Sequence, residues 1–242
     1  EEVTLDPIDI TAWSAHNWSL RVGDQWIASF YVPNTGFTGP EGISAPLVYV
    51  GKGREQDFAR RDVSGKIVVA EVPFPMLPTG LLMRALGSAF VLSDPHNSVS
   101  LGSRQYLNYV RQNFLGGAPN AESAPESDVY WQAQKRGALG ICLILTNQPS
   151  SSNSHYGPYD GIMKPMPGLW IGKEEGPTLR RLAKKNARAT LSLEGSQRPS
   201  RMHNVWGVLP GQSDEVVLVT SHHDAPFRGA TEDAAGVAQV LA

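Results

Sequence analysis

Residues 215–221 read EVVLVTS, a nearly uninterrupted apolar run that ends directly in the polar sequence HHD at 222–224. Apolar residues at successive positions give a strand two apolar faces, so the run predicts a central parallel strand covered by helices on both sides. In α/β proteins, binding and catalytic groups lie at the carboxyl ends of such strands. The run therefore predicts an α/β fold with a functional site next to residue 221.

Four polar side chains near this end form the candidate site. In an extended chain His222 and Asp224 point to the same side, so the imidazole can bind a metal while the carboxylate orients it. Glu232 follows His222 by ten positions and, with Asp233, precedes the helix-like run at 234–242. A carboxylate there can bind a divalent metal or stabilise a helix N-terminus, and both interpretations remain open.

The rest of the chain predicts alternating strands and helices after a β-rich segment at 1–40 that contains several aromatic residues. Short β-branched runs predict strands at 45–50, 66–72, 140–146, 166–171, 189–193 and 204–209. Helical patterns occupy 54–62, 105–114, 129–136, 177–186 and 234–242, and a polar loop occupies 116–127. A change of pattern near residues 199–200 predicts a domain junction.

Composition excludes several classes of protein. With 21 Lys+Arg against 23 Asp+Glu, the net charge is −2, and the absence of a dense basic block argues against nucleic-acid binding. No apolar stretch approaches the roughly 20 residues of a membrane span. The single cysteine, Cys142, lies in the apolar run GICLILT and is predicted to be a small buried hydrophobe.

The C-terminal motifs resemble a known enzyme family. NVWGVLPG at 204–211, the apolar run, HxD at 222–224 and GATEDAAG at 229–236 are similar to the start of the catalytic domain in dizinc exopeptidases, which include aminopeptidases and glutamate carboxypeptidase-like enzymes. The resemblance implies two zinc ions, with His222 as a ligand, Asp224 as its support and Glu232 at the position of the bridging aspartate. Because that position carries glutamate here, Asp233 could bridge instead after a one-residue shift.

Upstream motifs resemble a protease-associated domain. They are APLVYVG at 45–51, VSGKIVV at 63–69, AQKRGALG at 133–140 and MPGLWI at 166–171. After the β-rich segment at 1–40, the two resemblances imply a protease-associated domain at 41–199, with a helical or loop insertion at about 80–135, and an incomplete catalytic domain at 200–242. The expected fold class is thus α/β, a β-rich protease-associated domain followed by the first strands and helix of a doubly wound zinc exopeptidase domain.

The implied function is metal-dependent hydrolysis of a terminal peptide or amide bond, of the aminopeptidase or carboxypeptidase type. The family's general base and remaining ligands would lie beyond residue 242, so the chain is expected to be a fragment or to work with a second polypeptide. The resemblance to this family also implies a secreted or periplasmic protein with a peptide substrate. Two alternatives remain, namely a non-catalytic peptide- or protein-binding module with a degenerate metal site and a single-zinc, glutaminyl cyclase-like acyltransferase.

Overall fold

The computed structural model describes residues 2–73, 129–146, 155, 157–158, 161–213, 215–224 and 234–242. Within these residues the strands are β1 (Glu2–Val22), β2 (Gln25–Ile27), β3 (Ser29–Tyr31), β4 (Ile43–Tyr49), β5 (Ile67–Val72), β6 (Gly140–Leu145), β7 (Gly168–Ile171) and β8 (Arg188–Val208). The helices described are α1 (Glu55–Phe58), α2 (Val129–Lys135), α3 (Gly176–Lys184) and α4 (Ala234–Leu241). None of these helices has the length and apolar character needed to cross a membrane.

The strands form one mixed sheet of eight, in the order β2-β1-β8-β4-β5-β6-β7-β3. Its middle is parallel, from β4 through β5 and β6 to β7. Val68 of β5, for example, lies opposite Val48 on one side and Ile141 on the other. Antiparallel pairs flank this part, β8 with β4 and β3 with β7. Parallel neighbours need crossover connections, and α1 and α2 occur in the connections that follow β4 and β5.

The parallel strands are buried on both faces. Val69 of β5 and Leu179 of α3 belong to the buried cluster on one face. Val68 belongs to the cluster on the other face, together with Phe58 of α1 and Ala133 of α2. Successive side chains of a strand point to opposite faces, so a sheet covered twice requires the continuous apolar runs seen in β5 and β6.

The sequence predictions for this part of the chain are confirmed, since β4, β5, β6, β7, α2 and α3 occur where the patterns place them. Cys142 in β6 is fully buried, as predicted. Of the predicted helix at 54–62, only α1 is helical. The predicted helix at 105–114 and the loop at 116–127 lie outside the described residues.

The strands predicted at 189–193 and 204–209 are parts of one long strand, β8. β4 pairs with β8 from Arg188 to Leu191, and beyond this pairing Leu193 bonds to Thr38 through its N–H and C=O groups. Proline has no N–H to donate and is therefore confined to strand positions where that group would not be paired. Pro199 lies within β8, beyond the residues that pair with β4.

The chain divides into two compact units. Trp13–Gln197 forms one, which we call the core unit, and Glu1–Ala12 with Arg198–Ala242 forms the other, the terminal unit. In the terminal unit, Nε of Arg201 lies 2.8 Å from Oδ1 of Asp9, and Nε1 of Trp206 donates to Oδ2 of Asp6 at 2.9 Å. Because later residues of β8 contact earlier residues of β1, the two strands run antiparallel here. The domain boundaries proposed from sequence remain predictions.

The predicted buried strand at 215–221 is wrong for this structure. Residues 215–224 adopt no regular secondary structure, and Val217 and Leu218 are 87% and 82% exposed. A strand is stable in a sheet interior only when neighbouring strands pair with its N–H and C=O groups and other elements cover its side chains. None of the described strands pairs with this segment, so its apolar side chains remain exposed.

Candidate functional site

His222 and Asp224 contact each other in the terminal unit. The imidazole Nδ1 atom lies 3.2 Å from the Asp224 Oδ1 atom and 3.2 Å from the backbone carbonyl oxygen of the same residue. Both neighbours are acceptors, so the neutral ring is arranged to carry its proton on Nδ1 and its lone pair on Nε2. A carboxylate that orients the far nitrogen in this way is the usual companion of a metal-binding histidine.

Both side chains of this pair are accessible. The His222 side chain is 61% exposed and the Asp224 side chain 49%. At such exposure the contact contributes only about 0–1 kcal/mol to stability, since water screens it. The contact therefore matters for the orientation and tautomer of the imidazole rather than for holding the fold together.

The segment that carries His222 packs against the first turn of α4. A Cβ atom added to Gly236 would overlap Oγ of Ser221 but not its Cβ atom, so the serine hydroxyl group lies directly against the helix backbone. The same Oγ donates to the backbone carbonyl of His222 at 3.3 Å. Our sequence reasoning missed this contact. The signal was Gly236 itself, since a glycine inside a helix costs about 1 kcal/mol of stability and often marks close packing.

His223 has a different contact from its neighbour. Its Nε2 atom lies 3.1 Å from the backbone carbonyl oxygen of His203 in β8, which requires the ring to donate from that nitrogen. The bond supports a structural role for His223 and provides a matched comparison for His222.

The structure brings together two of the four predicted site residues. Glu232 and Asp233 lie outside the described residues, immediately before α4. Across the part of the chain that is described, no group of three or more His, Cys, Asp or Glu side chains is placed to hold a metal ion. The imidazole and carboxylate groups of the predicted set are nonetheless donors of the kind that zinc accepts. The donor chemistry fits zinc.

Comparison with known proteins gives a structural likeness without a sequence match. No family model and no curated protein matches the sequence. The structure is similar to BSAP, a zinc aminopeptidase from Bacillus subtilis, with a TM-score of 0.63, 19% identity, and coverage of 99% of this chain and 46% of that one. The chain has a zinc aminopeptidase-like fold.

A second solved structure supports the same fold. An aminopeptidase from Aneurinibacillus sp. strain AM-1 matches with a TM-score of 0.58 and 18% identity, over 99% of this chain and 48% of that one. The chain thus spans about half the length of the solved aminopeptidases that it resembles. Since each match includes nearly the whole chain, the likeness involves the core unit and the terminal unit.

Proposed function

We propose that this chain contributes to zinc-dependent hydrolysis of a terminal peptide or amide bond. The observation that carries the proposal is the contact between His222 and Asp224, in a chain with a zinc aminopeptidase-like fold. The carboxylate orients the imidazole, and the imidazole has a nitrogen suited to a metal.

Each candidate residue has a distinct role in this proposal. His222 binds one zinc ion through Nε2, and Asp224 holds the imidazole in the required tautomer. Glu232 or Asp233, which precede α4 in the sequence, would supply the carboxylate that the two ions share. When bound, zinc activates a water molecule and polarises the scissile carbonyl group. Glutamate places its carboxylate one methylene farther from the backbone than aspartate, so the two candidates require different positions of the helix start.

The remaining assignments follow from the same proposal. Residues 41–199, with the insertion at about 80–135, act as a protease-associated domain that shapes access of a peptide substrate. Residues 200–242 supply the beginning of the catalytic domain. The other groups needed for hydrolysis come from further sequence or from a second polypeptide, in a secreted or periplasmic setting.

Zinc titration of the natural protein that contains these residues tests the metal site. We expect His222→Ala to abolish the specific binding and Asp224→Asn to weaken it by about 10- to 100-fold, the usual effect of removing a carboxylate behind a metal ligand. His223→Ala is the matched control and should retain wild-type affinity, because its ring contacts a backbone carbonyl group. Equal zinc affinity in His222→Ala and wild type would overturn the assignment of His222.

Hydrolysis is tested on the natural protein that contains these residues, with aminoacyl-p-nitroanilides and N-blocked dipeptides as substrates. Zinc-dependent release of product that is lost in His222→Ala supports the proposal. Zinc binding without hydrolysis of either substrate class would favour the non-catalytic binding module. Cyclisation of a glutaminyl peptide would instead identify an acyltransferase.

A further inference from the structure

A basic cleft lies at the carboxyl end of β4 in the core unit. It has a volume of about 620 Å³ and is lined by the end of β4 and the segment that follows, including Arg54, Asp57, Arg60 and Arg61. Three arginines against one aspartate leave the lining with two excess positive charges. The volume falls within the range of about 300–1,000 Å³ that is typical of ligand sites.

The one lining carboxylate is already paired. Oδ2 of Asp57 accepts from Nε of Arg54 at 3.1 Å and from the backbone N–H of the same residue at 3.1 Å. This pairing lowers the pKa of Asp57, so the group remains ionised and neutralises Arg54. The excess positive charge of the cleft therefore resides on Arg60 and Arg61.

The guanidinium groups of Arg60 and Arg61 make no hydrogen bond or ion pair with any described residue, and both residues are exposed. Two other basic side chains of the core unit do have partners. Nη1 of Arg180 lies 2.7 Å from Oε1 of Glu71, and Nζ of Lys184 lies 5.4 Å from the centre of the Tyr49 ring. Two neighbouring arginines are thus available to a ligand in a cleft whose other charges are satisfied.

Backbone contacts fix the shape of the cleft. The carbonyl oxygen of Gly51 accepts from the backbone N–H of Glu71 at 2.7 Å, which holds the end of β4 against β5. The bonds between Arg54 and Asp57 hold the turn that leads to the two arginines. A preformed site loses less conformational entropy when a ligand binds.

We infer that this cleft binds an acidic peptide through paired carboxylates. A guanidinium group donates two parallel hydrogen bonds to a carboxylate, so Arg60 and Arg61 can each bind one acidic side chain of an extended peptide. Val50 and Gly51, directly after the end of β4, complete the lining beside these charged residues. Binding at this cleft requires no hydrolysis and is independent of the metal site.

Fluorescence anisotropy of the 242-residue chain with an amidated, fluorescein-labelled Gly-Glu-Leu-Glu-Gly peptide tests the inference. We expect saturable binding that weakens as salt is raised, and little binding of the Gly-Gln-Leu-Gln-Gly analogue. Arg60→Gln and Arg61→Gln should each weaken binding by about two- to fivefold, as expected for exposed charge pairs. Arg21→Gln is the matched control, because Arg21 is an exposed arginine of β1 that does not line the cleft.

Several results would overturn the inference. They are equal binding of the two peptides, wild-type affinity in the Arg60→Gln/Arg61→Gln double variant, or an equal loss of affinity in Arg21→Gln. Displacement of the peptide by inorganic phosphate at constant ionic strength would identify a general anion site instead. Binding to phosphatidylserine vesicles in the absence of peptide binding would identify a membrane-contacting surface. Circular dichroism of each variant establishes that a loss of binding is not a loss of fold.

Discussion

The hydroxyl group of Tyr130 joins α2 to the segment before β7. Its Oη atom accepts from the backbone N–H of Met166 at 2.6 Å and donates to the carbonyl oxygen of the same residue at 2.7 Å. Tyr130 is 3% exposed and Met166 is 5% exposed, so water cannot readily replace either bond. One side chain thus satisfies both backbone groups of a buried residue that belongs to no strand.

We expect Tyr130→Phe to lower the free energy of unfolding by about 1–3 kcal/mol, the cost of leaving a buried donor unsatisfied. The donor in question is the Met166 N–H. The Met166 carbonyl oxygen keeps a second partner, the backbone N–H of Gly36 at 3.3 Å, and therefore adds little to the loss. The aromatic ring and its packing are retained, so no cavity contributes.

Urea unfolding followed by far-UV circular dichroism measures this effect. The midpoint should fall in Tyr130→Phe with an unchanged slope, because the surface exposed on unfolding is the same. Tyr31→Phe is the control, since the Tyr31 hydroxyl group makes no hydrogen bond with any residue that is described, and its change should stay within about 0.5 kcal/mol. The reasoning is refuted if both variants unfold like wild type or lose the same stability.

Two further predictions concern backbone strain and pH. Gly53 and Gly65 both have φ of +68°, but only at Gly53 would an added Cβ atom overlap Val129. Gly53→Ala should therefore lower the free energy of unfolding by more than the roughly 1–2 kcal/mol expected for Gly65→Ala. Equal urea midpoints for the two variants would contradict this prediction. Burial lowers the pKa of His155 from 6.5 to about 4. As the pH falls below 6.5, His155 is protonated in the unfolded chain before it is protonated in the folded chain, so the free energy of unfolding should fall by about 2–3 kcal/mol by pH 4.5. Thermal melts of His155→Asn should lack this part of the pH dependence. A pH dependence equal to that of the wild type would contradict the prediction.

The parallel strands could be predicted because their signal is local. Valine, isoleucine and leucine at successive positions suit a strand covered on both faces, and β5 and β6 are such strands. The run at 215–221 has the same composition, yet it forms no strand. Burial of a strand depends on neighbours to pair with it, and composition does not reveal whether they are present.

For the candidate site, the sequence predicted the proximity of two side chains, and their role in metal binding stays a prediction. The i, i+2 spacing of His222 and Asp224 placed the two side chains together, and in the structure they are in contact. The choice between Glu232 and Asp233 depends on the path of the backbone between 224 and the helix, which spacing alone does not determine. Arg180 pairs with Glu71, a residue 109 positions earlier in the chain, and no local sequence pattern indicates a contact between residues so far apart.

The parallel pairing of β5 with β6 also affects how this protein can evolve. Residues 73–128 separate β5 from α2, yet Val68 still pairs in register with Ile141. For a flexible connection the entropy of closure grows only with the logarithm of its length, so halving or doubling such a connection would change the closure cost by about 0.6 kcal/mol. Insertions and deletions can therefore accumulate in this crossover while the order and register of the sheet stay the same.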